Sequence, residues 1–191
     1  MLRGSRCETA KCPMERQSRS NPPGVHNWRR GRTSEYGLRL REKQKVKRYY
    51  GVFERQFMRY FRQAGLSKGN TGATLLSLLE RRLDNVVYRL GFGLSRAQAR
   101  LLVGHGHVTV NGRRVDIPSY LMRPGDVIRV KDRPKSLQLV QAVLAKCPRD
   151  VPDFLSRVEG PQPEGHVLRV PEAADASIPV QPHLIVELCS K

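Results

Sequence analysis

The chain has 191 residues, with 35 Lys and Arg against 17 Asp and Glu, for a formal net charge of +18; this length allows one or two domains with a real core. An apolar content of 39% argues against wholesale disorder, and no apolar run reaches the ~18–20 residues of a membrane span or resembles the core of a signal peptide. Two of the four cysteines, Cys147 and Cys189, are isolated, which does not suit a secreted disulfide framework. The expectation is a cytosolic or organelle-matrix protein, with no membrane partner, that meets a polyanion.

The charge is graded: +12 over residues 1–62, +8 over 63–135 and −2 over 136–191. The polyanion-facing surface is therefore expected from the first two-thirds, with the mildly acidic tail folding back or meeting protein. Blocks of charge are often only solvated surface, but a cationic excess this large favours a nucleic-acid footprint.

Residues 1–33 read as an irregular basic arm, because Pro22-Pro23-Gly24 breaks any helix and the Trp28–Arg32 run has no period. Residues 34–50 contain no proline and favour helix, although the run is polar nearly all round and needs support from outside itself. Gly51 is a natural stop. Phe53, Phe57, Tyr60, Phe61 and Ala64 then fall at helical spacing and are expected to form one apolar core face. After a turn-rich joint at 65–72, Leu75, Leu76, Leu79, Leu83, Val86, Val87 and Leu90 predict a single long helix with Arg81, Arg82, Asp84 and Asn85 on its other face.

Ser95-Arg96-Ala97-Gln98 has the form of a capping box opening a helix through Val103. Arg96 and Arg100 are expected on its outer face, with Leu101 and Val103 nearer the packed side. Val108 and Val110, the turn Asn111-Gly112, and Val115 with Ile117 predict a hairpin. A strand around 128–130 follows, then a short helix at 136–146. The Pro-rich stretch 148–182 reads as loops with brief strands, and 184–188 as a final buried strand.

The helix opened by Ser95 offers unpaired N–H groups to a phosphate. Arg96 and Arg100 lie one turn apart, and Arg113 and Arg114 flank the hairpin turn. Together they make a cationic surface on a rigid scaffold, suited to folded RNA. The aromatic residues of a single-strand stacking platform are missing from 94–119.

Arg82-Leu83-Asp84-Asn85-Val86-Val87-Tyr88-Arg89-Leu90-Gly91-Phe92, then Ser95–Arg100, then His105-Gly106-His107-Val108-Thr109-Val110-Asn111-Gly112-Arg113-Arg114-Val115 closely resemble the small-subunit ribosomal protein S4 family of bacterial or organellar type. The resemblance continues through Cys12–Arg16, Pro22–Gly24, Leu40–Lys45, Glu54–Phe57, Lys68–Gly72, Arg123–Asp126 and Leu184–Leu188, nearly the whole chain. It implies an α+β fold: a mainly helical body with an inserted S4-type RNA-binding module of two helices on a small antiparallel sheet. The corresponding divisions are a basic arm at 1–33, a body at 34–80 completed by 148–191, and the module at 81–147.

What the resemblance implies about function is direct, early binding of small-subunit rRNA and nucleation of the body of the subunit. It also implies neighbouring ribosomal proteins as partners, a part in translational accuracy, and proximity to mRNA where it enters the subunit. Charge, helix phase and resemblance together nominate Arg29, Arg30, Arg32, Arg39, Arg41, Lys43, Lys45, Arg48, Arg82, Ser95, Arg96, Arg100, His105, Arg113 and Arg114 as RNA-binding residues.

The resemblance also implies a shortened start, because many members open with two cysteine pairs that can hold zinc. Cys7 and Cys12 match only the second pair. A structural zinc site needs four ligands, with His26 the nearest further candidate, so two free cysteines and no cofactor are expected. His105 and His107 are read as a polar turn in preference to a metal pair. No nucleophile elbow, zinc-protease motif or phosphate-binding glycine loop is present. The alternative readings are an RNA-modifying enzyme carrying the same module, which lacks its catalytic domain here, and a stand-alone ribosome-binding factor, which leaves the collinear terminal motifs unexplained.

Overall fold

The computed structural model describes residues 34–146 and 149–190 apart from Glu159, together with nine positions of the N-terminal stretch: 4, 7, 9, 10, 12, 24, 25, 31 and 32. Most of the expected arm over 1–33, including Arg29 and Arg30, lies outside the described residues.

The first helix, α1, spans Glu35–Tyr50. Ser34 caps it by accepting the Gly37 N–H at 3.1 Å, and Gly51 ends it in the left-handed region at φ 64°, where a side chain would be strained. Only Val46 and Tyr50 are buried on α1, so its support comes from neighbours, as its polar composition requires. Helix α2, Glu54–Gly65, buries Phe57, Tyr60 and Ala64. Phe53 departs from the expected apolar face: it precedes the helix and is 79% exposed.

The single long helix expected from Leu75 to Leu90 is two helices, α3 at Thr71–Glu80 and α4 at Leu83–Arg89. The break falls at Arg81-Arg82 because another segment competes for the backbone there. Met122 donates to the Arg81 carbonyl at 2.9 Å, Leu83 donates to the Tyr120 carbonyl at 2.8 Å, and Arg82 bridges Leu121 in extended conformation. Leucine spacing continues through the break, so the pattern alone does not register it. Helix α5, Arg96–Gly104, has Ser95 accepting the Gln98 N–H; the Gln98 side chain reaches back to the Leu94 N–H at 2.7 Å, one residue beyond the usual box.

Strands β1 (Val108–Val110), β2 (Arg113–Arg114), β3 (Val127–Val130), β4 (Leu155–Val158) and β5 (Glu164–Val167) form one antiparallel sheet in the order β2-β1-β3-β5-β4. At the hairpin Asn111 has φ 50° and Gly112 φ 76°, the left-handed pair a two-residue turn demands. Asn111 also stitches the turn to β3, accepting the Val127 N–H at 2.8 Å and donating to Asp126 at 2.9 Å. The return strand is shorter than expected: Val115 packs on the core, but Ile117 is exposed. Helix α6, Pro134–Lys146, buries Ser136, Val140 and Val143.

Two expectations for the tail are corrected. The segment 148–191 does not pack on the helical body alone, because β4 and β5 extend the module's sheet through β3. Residues 184–188 are not a strand but part of helix α7, Pro182–Cys189. This apolar run is too short for periodicity to decide between helix and strand, and Pro182 at its first turn favours helix. Ile185 from α7 enters the body core with Val46, Phe57, Tyr60, Leu75 and Leu79. A second core joins α4, α5, the sheet and the 154–155 segment.

Candidate nucleic-acid interface

The joint between the two cores is polar and buried. Glu80, fully buried at the end of α3, accepts the Tyr50 hydroxyl at 2.6 Å, Asn85 Nδ2 at 2.6 Å, and Arg89 through Nε at 3.1 Å and Nη2 at 2.9 Å. Burial first, and then the Glu80 charge, push the Tyr50 hydroxyl far above the ordinary phenol range. Arg82 is 0% exposed. It holds Asp84 in a fork, Nε–Oδ1 3.0 Å and Nη2–Oδ2 2.6 Å, and donates to the Tyr60 hydroxyl at 2.9 Å. Burial works against the Arg82 charge, but Asp84 more than offsets it and raises its pKa.

Arg96 follows the same logic. Its guanidinium lies 3.7 Å from the Tyr49 ring centroid and 4.2 Å from that of Tyr88, and Nε donates to Asn85 Oδ1 at 3.1 Å. Arg149 also lies over the Tyr88 ring, 4.1 Å from its centroid, and donates to the Gly93 and Leu94 carbonyls.

These contacts correct the expected placement of two nominated residues. Arg82 and Arg96 are not on an outer face: both are buried and join the body to the module. Asp84 and Asn85, expected on a polar face, are buried with them. On α5 the buried residues are Arg96, Ala99, Leu102 and Val103, while Leu101 is 57% exposed, so the expected phase of this helix is turned for Leu101 and Arg96 and right for Val103. Arg100 is partly exposed, with Asp84 at 3.5 Å and the Gly51 carbonyl at 3.4 Å.

Of the other nominated cations, Arg32, Arg41, Arg48, Arg113 and Arg114 are exposed, as is His105. Ser95 serves as the helix cap. Arg39 is tied to Glu187 at 2.7 Å and Glu35 at 3.1 Å, which raise its pKa in that order. Lys43 and Lys47 share Glu54, and Lys45 meets Glu42 and the Pro179 carbonyl. Burial would raise the Glu54 pKa, but the two lysines outweigh it and lower it.

Three further exposed cations, Arg55, Arg59 and Arg62, line one depression on α2. Their spacing of four and three is a helical stripe already present in the sequence, on the helix whose apolar positions dominate its pattern. Arg123, Arg129 and Arg133 add exposed charge around β3.

Cys7 is half-buried and Cys12 buried, and both are free. Among the described residues no group of three or more His, Cys, Asp or Glu could hold a metal ion. His26 and Cys147 lie outside the described residues. His105 and His107 are 6.1 Å apart between ring centroids, and the His107 Nδ1 pairs with Ser136. Among the described residues no helix is long and apolar enough to cross a membrane.

A helix pair on an antiparallel sheet, rimmed by exposed arginines and joined to a basic helical body, defines an S4-domain protein of the RNA-binding class. Residues 81–128 match the family model of the S4 domain, and residues 1–80 match that of the ribosomal protein S4/S9 N-terminal domain. The chain is 54% identical over 191 residues to the small ribosomal subunit protein uS4 of Thermodesulfovibrio yellowstonii, spanning all of this chain and 90% of the relative. It is 52% identical over 193 residues to that of Thermus thermophilus, with the same coverage. The chain belongs to the uS4 family of small ribosomal subunit proteins.

Proposed function

We propose that this protein is a structural, non-enzymatic constituent of the small ribosomal subunit that binds its rRNA directly. The observation that carries the reading is the full-length similarity, which includes the basic body and the tail as well as the module. The +18 charge supplies the sequence-independent attraction to phosphate, and the exposed Arg41, Arg48, Arg113 and Arg114 with the partly exposed Arg100 are the residues through which we expect it to act. Within the subunit, the same reading gives it a role in nucleating assembly of the body, contacts with neighbouring ribosomal proteins, proximity to mRNA at its entry channel, and a contribution to translational accuracy. It works on the ribosome, which in bacteria is cytoplasmic.

Co-sedimentation with small subunits after a high-salt wash tests the reading, followed by protection footprinting of small-subunit rRNA with the purified protein. Persistent attachment and a compact footprint are expected. Release in the wash would instead identify a loosely bound factor.

A further inference from the structure

Between the turn after α1 and the first turns of α5 lies a cleft of about 360 Å³, walled by Arg48, Tyr49, Phe53, Arg96 and Arg100 among others. Asp84 is the acid in its wall, but that carboxylate is already held in a fork by the buried Arg82, so the cleft is cationic. Phe53 is 79% exposed and also lines the adjoining depression with Lys47 and Arg48. A lone exposed phenylalanine needs no explanation, but a flat apolar ring set among cations selects a ligand that is both anionic and aromatic.

Arg96 supplies a second, independent observation. It is 9% exposed, its faces are covered by Tyr49 and Tyr88, and Nε is used by Asn85. Its Nη1 and Nη2 are buried without a hydrogen-bond partner. Charged donors left idle in the interior are costly, and an acceptor carried into the cleft that Arg96 lines removes that cost.

We propose that this cleft seats one unpaired nucleotide of the RNA, with its phosphate on Arg48 and Arg100 and its base against Phe53, the idle Nη atoms of Arg96 serving the nucleotide's acceptors. A nucleotide joins a phosphate charge to a π-face, and proteins read RNA at unstacked positions by this pairing of cation and aromatic plane. The inference rests on the rRNA-binding reading and adds to it a preference for an interrupted helix over a continuous one. It is compatible with the lack of aromatic residues in the stretch 94–119, because Phe53 comes from the body.

The test uses the full chain and two RNA probes: a perfectly paired duplex, and the same duplex with one bulged 2-aminopurine. The protein is expected to prefer the bulged duplex and to quench the fluorophore by stacking. Phe53→Ala should lose that preference by about tenfold together with the quenching, with its melting temperature and salt slope unchanged. Phe53→Trp should keep both. Arg48→Ala should weaken binding and lower the salt slope by about one.

Equal affinity of Phe53→Ala and the unsubstituted chain for the bulge overturns the proposal. So does a Phe53→Ala defect confined to co-purification with small-subunit proteins, which would mark a protein-docking site. Small-subunit rRNA is bound in parallel: normal rRNA binding without bulge preference removes only the nucleotide seat, whereas failure to bind rRNA removes the wider reading as well.

Discussion

A guanidinium stacked between two tyrosine rings, as Arg96 is between Tyr49 and Tyr88, gains cation–π energy that grows when water is excluded. Arg96→Ala is therefore expected to cost on the order of 2–4 kcal/mol of stability, read from urea unfolding. Arg96→Lys should not restore it, because an ammonium has no plane to stack. Arg100→Ala, at a partly exposed pair with Asp84, should cost under about 1 kcal/mol. On the same helix Leu101→Ala should be nearly neutral, within about 0.5 kcal/mol, whereas Leu102→Ala at a buried position should cost roughly 2–5 kcal/mol; thermal or urea melts of the two variants check the helix phase. The capping of α5 by Ser95 was legible in the sequence, because a cap is a local hydrogen bond between neighbours. The phase was not, because it depends on Tyr49, Tyr88 and Asn85. An arginine is assigned to the surface by default until partners distant in sequence are known to cover it.

At the scale of elements, the hairpin at Asn111-Gly112 and the helix α1 with its Ser34 and Gly51 ends were readable for the same local reason. The break between α3 and α4 and the helical state of 182–189 were not. One is imposed by backbone pairing with residues 120–122, the other by packing against α1 and α3. Ile185→Ala should cost about 2–5 kcal/mol, because this fully buried side chain ties α7 into the body core. Unfolding of the variant by denaturant measures that cost; a neutral result would mean that α7 is not seated. The approach to α7 also carries a pH-sensitive clip. Arg169 donates to both Asp175 oxygens at 2.7 and 2.9 Å, and that hydrogen bonding is the main cause of the lowered Asp175 pKa. A carboxyl whose folded pKa lies below its unfolded one stabilises the fold above the unfolded value, near 4 for aspartate, and loses that contribution as pH falls through the folded value. The melting temperature should therefore drop below about pH 4, and it should drop less in Asp175→Asn, compared by melts across that range.

For the whole molecule, the acidic tail decides whether the two halves are independent. Read as charge alone, residues 147–191 carry −3, so the remaining 146 residues carry +21, and a chain cut after Lys146 should bind any RNA at least as tightly as the intact protein. The packing gives a different answer. The tail supplies β4 and β5 to the module's sheet, Phe154, Leu155 and Val167 to its core, and Ile185 to the core of the body. Arg149 and Arg157 from the same tail donate to carbonyls of the α4–α5 connection. Removing it strips strand pairing from β3 and opens both cores at once, so neither half retains the buried area that offsets chain entropy. The truncated chain is expected to lose its cooperative melt and to bind a hydrophobic dye. Its non-specific RNA affinity should rise or hold with the added net charge, while its discrimination between small-subunit rRNA and an unrelated RNA of equal length collapses, because discrimination needs the arginines held at fixed separations. Filter binding of both RNAs at two salt concentrations, alongside a thermal melt, separates the two accounts. A truncated chain that melts cooperatively and still discriminates would show that the module and body stand without the tail.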